Sequence, residues 1–182
     1  MKRIGVYCGS RSGSDPDFEE SPQELGRLIV SCGFGAVYGG GQVGLMGALA
    51  DAVLENNGSI IGVIPEHLAS IELQHPSVTD MRVVGSMHQR KALMIELSDA
   101  FIALPGGFGT MEELFEVLCW EKLGLHRNPI GLLNVNGFYD QLVSFIQHMD
   151  KTGFLNAGNL DALIVESEPE ELMTRIEAAL TD

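Results

Sequence analysis

Cysteine is scarce in this chain: Cys8, Cys32 and Cys119 are the only three in 182 residues, and they stand far apart. No CxxC pair and no metal-type Cys/His spacing occurs. That excludes a disulfide framework and a zinc motif, no bound metal is expected, and a reduced cytoplasmic setting is the simplest reading. Basic residues are also few. Eleven Lys and Arg against 25 Asp and Glu give a formal net charge of −14. Such a field repels a polyphosphate backbone, so no nucleic-acid partner is expected. One small phosphorylated ligand remains possible, because backbone N–H groups hold a phosphate locally. No apolar run approaches the ~18–20 residues of a membrane helix, so no membrane partner is expected. The start, Met1-Lys2-Arg3-Ile4-Gly5-Val6-Tyr7, reads directly into a strand, and no signal peptide is expected ahead of it. No stretch is long and polar enough to read as disordered, and no internal repeat or linker is visible. The length therefore predicts a single domain over residues 1–182.

What the chain does have is glycine, 22 in all and clustered, set in an alternation of short apolar runs and longer amphipathic ones. Runs 4–8, 36–38, 60–64, 81–84, 101–104, 130–133 and 162–165 read as buried strands. Helix-length segments follow most of them, at about 22–31, 45–56, 87–97, 111–123, 138–151 and 169–180. Near-continuous apolar strands alternating with helices predict an α/β fold: a doubly wound, Rossmann-like domain with a mainly parallel sheet of about seven strands. Residues 65–80 show no clear period and read as a loop with at most a short helical turn.

Ligands of open α/β sheets collect at the C-terminal ends of the strands. Three turns there are rich in glycine or small residues: 9–14, 39–44 and 105–110. Gly39-Gly40-Gly41-Gln42-Val43-Gly44 matches GxGxxG between a strand and a helix, with Glu66 after the next strand where a ribose-binding acid would sit. Alone the match is weak. It reads either as a phosphate or ribose contact or as a tight turn that lets helix and sheet approach closely. Pro105-Gly106-Gly107-Phe108-Gly109-Thr110 is the second such loop. Its glycines leave the main-chain N–H groups open to a phosphate, and Thr110 is expected to start a helix whose N-terminus favours an anion. Two such loops at neighbouring strand ends suit one mononucleotide.

Two readings stand for Glu113. Thr110-Met111-Glu112-Glu113 has the form of a capping box, with Thr at the N-cap and Glu at N3, and Glu112 then offsets the helix dipole. In the other reading Glu113 faces the ligand, where a carboxylate stabilises an oxocarbenium-like sugar or activates water. Arg90 is the second oddity. On a helix beginning at Met87 it shares a stripe with Met87, Met94 and Leu97. Either it snorkels or is salt-bridged, or it faces the cleft and holds a substrate or a catalytic carboxylate with its planar fork. Lys91 beside it is a candidate for the phosphate. The histidines at 67, 75, 126 and 148 show no partner pattern.

Taken together, Met87-His88-Gln89-Arg90-Lys91 and the segment from Pro105 to Glu113 supply the motifs MHxRK and PGGxGTxxE. They resemble the LONELY GUY (LOG) family of cytokinin riboside 5′-monophosphate phosphoribohydrolases, many once labelled lysine decarboxylases. The likeness runs over nearly the whole chain, through Tyr38-Gly39-Gly40-Gly41 and Gly44-Leu45-Met46-Gly47. It implies Arg90 and Glu113 as the catalytic pair. It implies that Met87, Lys91, Pro105, Gly106, Gly107, Phe108, Gly109, Thr110 and Glu112 hold the substrate, with Ser10, Gly39, Gly40, Gly41 and Gly44 near the nucleotide and Glu72 as a further contact. It also implies a homodimer with active sites near the interface. One departure is Cys119, where plant members commonly carry a threonine that is the stronger hydrogen-bonding partner.

The resemblance implies hydrolysis of a purine riboside 5′-monophosphate or AMP to free base and ribose 5-phosphate, with no cofactor. Three rivals are set against it. A nucleotide or molybdenum-cofactor carrier on the same fold does not need the Arg90/Glu113 pair. A decarboxylase needs a lysine set for pyridoxal phosphate, a context absent around Lys91, Lys122 and Lys151. A nicotinamide-dependent dehydrogenase rests only on residues 39–44 and Glu66.

Overall fold

The apolar runs pair into one parallel sheet. In a computed structural model, which describes residues 1–69, 74–155 and 163–181, the strands are β1 (Arg3–Tyr7), β2 (Gly35–Tyr38), β3 (Ile60–Pro65), β4 (Asp80–Val84), β5 (Ala100–Ala103), β6 (Ile130–Leu133) and β7 (Leu163–Glu166). Their order is β4-β3-β2-β1-β5-β6-β7, and each neighbouring pair is parallel. The helices are α1 (Pro16–Ser31), α2 (Gly44–Glu55), the single turn α3 (Glu66–Ala69), α4 (Met87–Glu96), α5 (Phe108–Lys122), α6 (Asp140–Lys151) and α7 (Pro169–Thr181). None is long and apolar enough to cross a membrane.

Side chains alternate across a strand, and here both faces are covered. Ile4, Val6, Ala36, Tyr38, Ala100 and Ile102 point to one side, where Leu25 and Ile29 of α1, Leu49 and Val53 of α2, and Leu172 and Ile176 of α7 meet them. Tyr7, Val37, Ile61, Val63 and Phe101 point to the other side, against Met94 of α4, Leu114 and Val117 of α5, and Ile146 of α6. Each fully buried Leu, Ile or Val in these layers contributes about 1.5–3 kcal/mol. Among the described strand residues, the exposed ones are Arg82 and Val83 of the edge strand β4.

Two helix starts differ from expectation. Helix α1 begins at Pro16, not at residue 22: Asp15 caps it by accepting from the Asp17 N–H, and the first-turn Pro16 suits the helix entrance. Pro22 sits inside the helix without an N–H to donate, and the Ser21 hydroxyl donates to the Phe18 carbonyl instead, at 3.2 Å. Helix α5 begins at Phe108, with Gly107 as N-cap and Met111 N–H donating to Gly107 O at 3.1 Å. Thr110 therefore lies in its first turn and does not start it.

The chain order reverses between β1 and β5, which adjoin in register from Ile4 opposite Ala100 to Tyr7 opposite Ala103. Strands β2, β3 and β4 lie on one side of this point and β6 and β7 on the other. The crevice beyond the carboxyl ends of β1 and β5 is thus the topological switch point, the usual ligand position of an open α/β sheet.

Candidate active site

The turn after β1 and the turn after β5 are tied to each other at this crevice. Gly9 N–H donates to Pro105 O at 3.1 Å. A Cβ added to Gly106 would lie 3.0 Å from Gly9 N and 2.1 Å from Thr110 Oγ1, so only glycine allows the two turns and the buried Thr110 to close together. Gly107 and Gly109, by contrast, face open space. Residues 107–109, at the start of α5 where N–H groups have no partner within the helix, are exposed at this point. Beneath Pro105, Tyr139 Oη donates to the Leu104 carbonyl at 2.6 Å and pins the end of β5.

A cavity of about 430 Å³ opens here, lined by the turn after β1, the turn and helix start after β5, and by Met87, Arg90, Glu113, Phe18 and Phe138. Its deep wall holds a charged pair. Arg90 Nη1 lies 3.5 Å from Glu113 Oε1, and both residues are buried. Arg90 is fixed from three more directions: Nε donates to Val63 O at 3.1 Å, Nη2 to Gly39 O at 3.5 Å, and Nη1 faces Met87 Sδ at 3.9 Å. Glu113 is six residues past the N-cap of α5, too far along to cap it. The capping-box reading therefore fails, for the reason that helix α5 starts earlier than the local pattern implied. The carboxylate belongs instead to the cavity wall, beside a guanidinium that four contacts hold in place.

Burial near this pair affects neighbouring groups. Burial foremost, then the charge of Glu113, pushes the Cys8 thiol well above its ordinary pKa. The Tyr7 phenol is raised by burial, then by Glu113 and Glu116, and Arg90 opposes this in part. Neither group ionises near neutral pH, so Cys8 lines the cavity as a thiol, a poor nucleophile.

The structure unites Ser10, Met87, Arg90, Pro105, Gly106, Gly107, Phe108, Gly109, Thr110 and Glu113 around one cavity. Six other expected contacts do not line it. Lys91 is buried elsewhere, bonded to Glu112 and 3.1 Å from Glu116 Oε1. Burial is the largest influence on its pKa and lowers it, but the two carboxylates outweigh burial and leave it raised. Lys91 is thus a charged strut between α4 and α5, and Glu112 is its partner. Gly39, Gly40, Gly41 and Gly44 shape the framework. A Cβ on Gly39 would lie 2.1 Å from Arg90 Nη2, Gly40 has φ +82°, and a Cβ on Gly44 would lie 2.4 Å from Arg11 N. Gly41 pairs with Gln74 in an isolated antiparallel bridge. The close-approach reading of that turn fits these contacts. Glu72 lies outside the described residues.

Sequence reading missed Arg11, Ser12, Gly13, Phe18, Leu45, Met46 and Phe138 as lining residues. Arg11, Ser12 and Gly13 had a signal, since they lie in a turn already marked at a strand end. Phe138 follows β6 in the same way, and meets Phe18 edge-on at 5.8 Å. His75, which had no visible partner, is buried with Nε2 3.2 Å from Asp51 Oδ1. Among the described residues no group of His, Cys, Asp or Glu has metal-binding geometry.

Comparison with known proteins adds lineage to geometry. The family model described as possible lysine decarboxylase matches residues 46–176. Cytokinin riboside 5′-monophosphate phosphoribohydrolase LOG3 of Arabidopsis thaliana is 44% identical, over 97% of this chain and 82% of that protein. The rice enzyme LOG (Oryza sativa subsp. japonica), which carries the same activity name, is 45% identical over 97% of this chain and 73% of its own length. The chain belongs to the LOG family. Solved structures share the fold at low identity. The molybdenum cofactor carrier protein of Chlamydomonas reinhardtii superposes with a TM-score of 0.77 at 20% identity, covering 100% of this chain and 99% of its own. The molybdenum cofactor binding protein of Rippkaea orientalis gives 0.74 at 23%, covering 98% and 96%. At those identities the likeness establishes the Rossmann-like fold alone.

Proposed function

We propose that this chain hydrolyses the N-glycosidic bond of a purine riboside 5′-monophosphate, of the cytokinin type or AMP, to free base and ribose 5-phosphate. The observation that carries the reading is the buried Arg90–Glu113 pair in the wall of a cavity whose rim is a glycine loop and a helix N-terminus. The names of the 44–45% identical relatives support the same reaction.

The 5′-phosphate lies against the N–H groups of residues 107–109, where Gly107 and Gly109 leave room and the dipole of α5 favours an anion. The ribose then reaches Glu113. As the C1′–N bond lengthens, the base nitrogen takes the bonding pair and C1′ gains oxocarbenium character, which the carboxylate opposes. Water adds its oxygen to C1′ and gives one proton to Glu113; that proton passes on through solvent to the departing base nitrogen, which holds the former bonding pair, and Glu113 returns to its starting state. A guanidinium is no general acid; Arg90 lies against Glu113 and holds it in place. Neither metal nor redox cofactor has a part in these steps.

A homodimer is part of the proposal. Its support is an apolar groove of about 410 Å³ between α5 and α6, lined by Phe115, Leu118, Cys119, Met149 and Phe154 among others. Its lining residues Leu123 and Phe154 are exposed, an arrangement suited to burial against a second copy. A reducing compartment fits the three free cysteines.

Incubation with AMP and with isopentenyladenosine monophosphate, followed by chromatography, tests the reaction. Equimolar base and ribose 5-phosphate are expected. Tight nucleotide binding with no base released would instead identify a carrier.

A further inference from the structure

The cavity contains a cation that nothing so far employs. Two of its lining residues carry positive charge, Arg11 and Arg90. Arg90 is committed to Glu113 and to the carbonyls of Val63 and Gly39. Nearby Lys91 is committed to Glu112 and Glu116. Arg11 is exposed and makes no ion pair with any described residue. Its backbone, however, is held firmly. Gly9 before it is tied to Pro105 O and, through its own carbonyl, accepts from Leu45 N–H at 3.1 Å. The Ser10–Arg11 peptide rests directly on Gly44, where any Cβ would come within 2.4 Å of both Ser10 C and Arg11 N. Gly44 and Gly106 together fix Arg11 beside the start of α5.

A phosphomonoester is close to a dianion, and this protein carries a formal charge of −14. Partial charge at one helix end is a weak counterweight to that field. A guanidinium anchored at the root and free at the tip suits the remaining phosphate oxygens with its planar fork. Resting on the reaction given above, we propose that Arg11 is the residue that reads the 5′-phosphate and makes the enzyme select nucleotides over nucleosides. Arg90 has a different task, positioning Glu113, so the two arginines divide substrate selection from chemistry.

The test compares wild type, Arg11→Gln and Arg11→Lys on AMP and on adenosine, with circular dichroism as the folding control. Arg11→Gln is expected to raise KM for AMP about tenfold, with kcat within about threefold and adenosine turnover unchanged. Arg11→Lys recovers part of the loss, and the salt dependence of KM weakens in Arg11→Gln. A KM for AMP within twofold of wild type in Arg11→Gln, with wild type active, would overturn the assignment. Calorimetric titration with AMP, ribose 5-phosphate and adenosine separates this from failure of the reaction itself. If wild type releases no base, the hydrolytic reading falls. Arg11 then stands if Arg11→Gln weakens both phosphorylated ligands about tenfold and spares adenosine, and falls if all three are unaffected.

Discussion

Arg90 occupies the space that a side chain at Gly39 would fill: a Cβ there would lie 2.1 Å from Nη2 and 2.9 Å from Met46 Sδ. The glycine just after β2 is therefore a condition for the placement of Arg90 against Glu113. Gly39→Ala is expected to fold, with a loss of about 1–3 kcal/mol from overpacking. By displacing the guanidinium it lowers kcat about 100-fold, because misplacement by an ångström carries that order of penalty. Steady-state kinetics with thermal denaturation checks both; a kcat near wild type would show that Arg90 tolerates the shift.

Removing either member of the charged pair separates chemistry from binding. Glu113→Gln keeps the size of the side chain and is expected to lower kcat by roughly 10²–10⁴-fold with KM little changed. Arg90 then remains buried beside a neutral amide, so stability falls by up to about 3–5 kcal/mol, a figure its two backbone carbonyl contacts reduce. Arg90→Lys is expected not to rescue turnover, since one ammonium does not reach Val63 O, Gly39 O and Glu113 at once. Urea denaturation beside single-turnover kinetics measures the two effects.

Adjacent glycines of one loop are expected to respond oppositely. Gly106→Ala forces a methyl against Thr110 Oγ1 and Gly9 N, which costs about 1–3 kcal/mol and loosens the junction of the two turns. Gly107→Ala meets nothing within 4 Å, at φ −96°, and leaves stability unchanged or slightly raised. Its methyl intrudes where the phosphate approaches, so KM for AMP rises while the melting temperature holds.

Alkaline pH is expected to destabilise the fold earlier than its composition suggests. Burial first, and then nearby charges, raises the pKa values of Tyr7, Cys8, Tyr38 and Tyr139 above their ordinary 10.0 for tyrosine and 9.0 for cysteine. Groups raised in this way ionise first in the unfolded chain, which then binds fewer protons than the folded one. Stability therefore falls as pH climbs through those ordinary values, and continues to fall towards the raised ones. The melting temperature is expected to be flat to about pH 8 and to drop beyond about pH 9, with Cys8→Ala delaying the onset. Iodoacetamide is expected to label partly exposed Cys32 before buried Cys8.

The sequence by itself determined the parallel α/β sheet, the position of ligand turns at strand ends, the anomaly of a cation among Met87, Met94 and Leu97, and the motifs that carry the family. Periodicity and side-chain chemistry are local properties, so spacing along the chain is enough to read them. Only tertiary structure decided where α5 begins, and hence that Glu113 joins the cavity wall and does not cap a helix. It also placed Lys91 against Glu112 and Glu116, packed Gly39 against Arg90 and Gly44 against Arg11, and set Arg11 on the cavity wall with no ion pair to any described residue. Those outcomes rest on contacts such as Arg90 with Gly39 and Val63, which are 51 and 27 residues away along the chain. No local pattern encodes them, because only folding to the β1–β5 crevice brings those groups together.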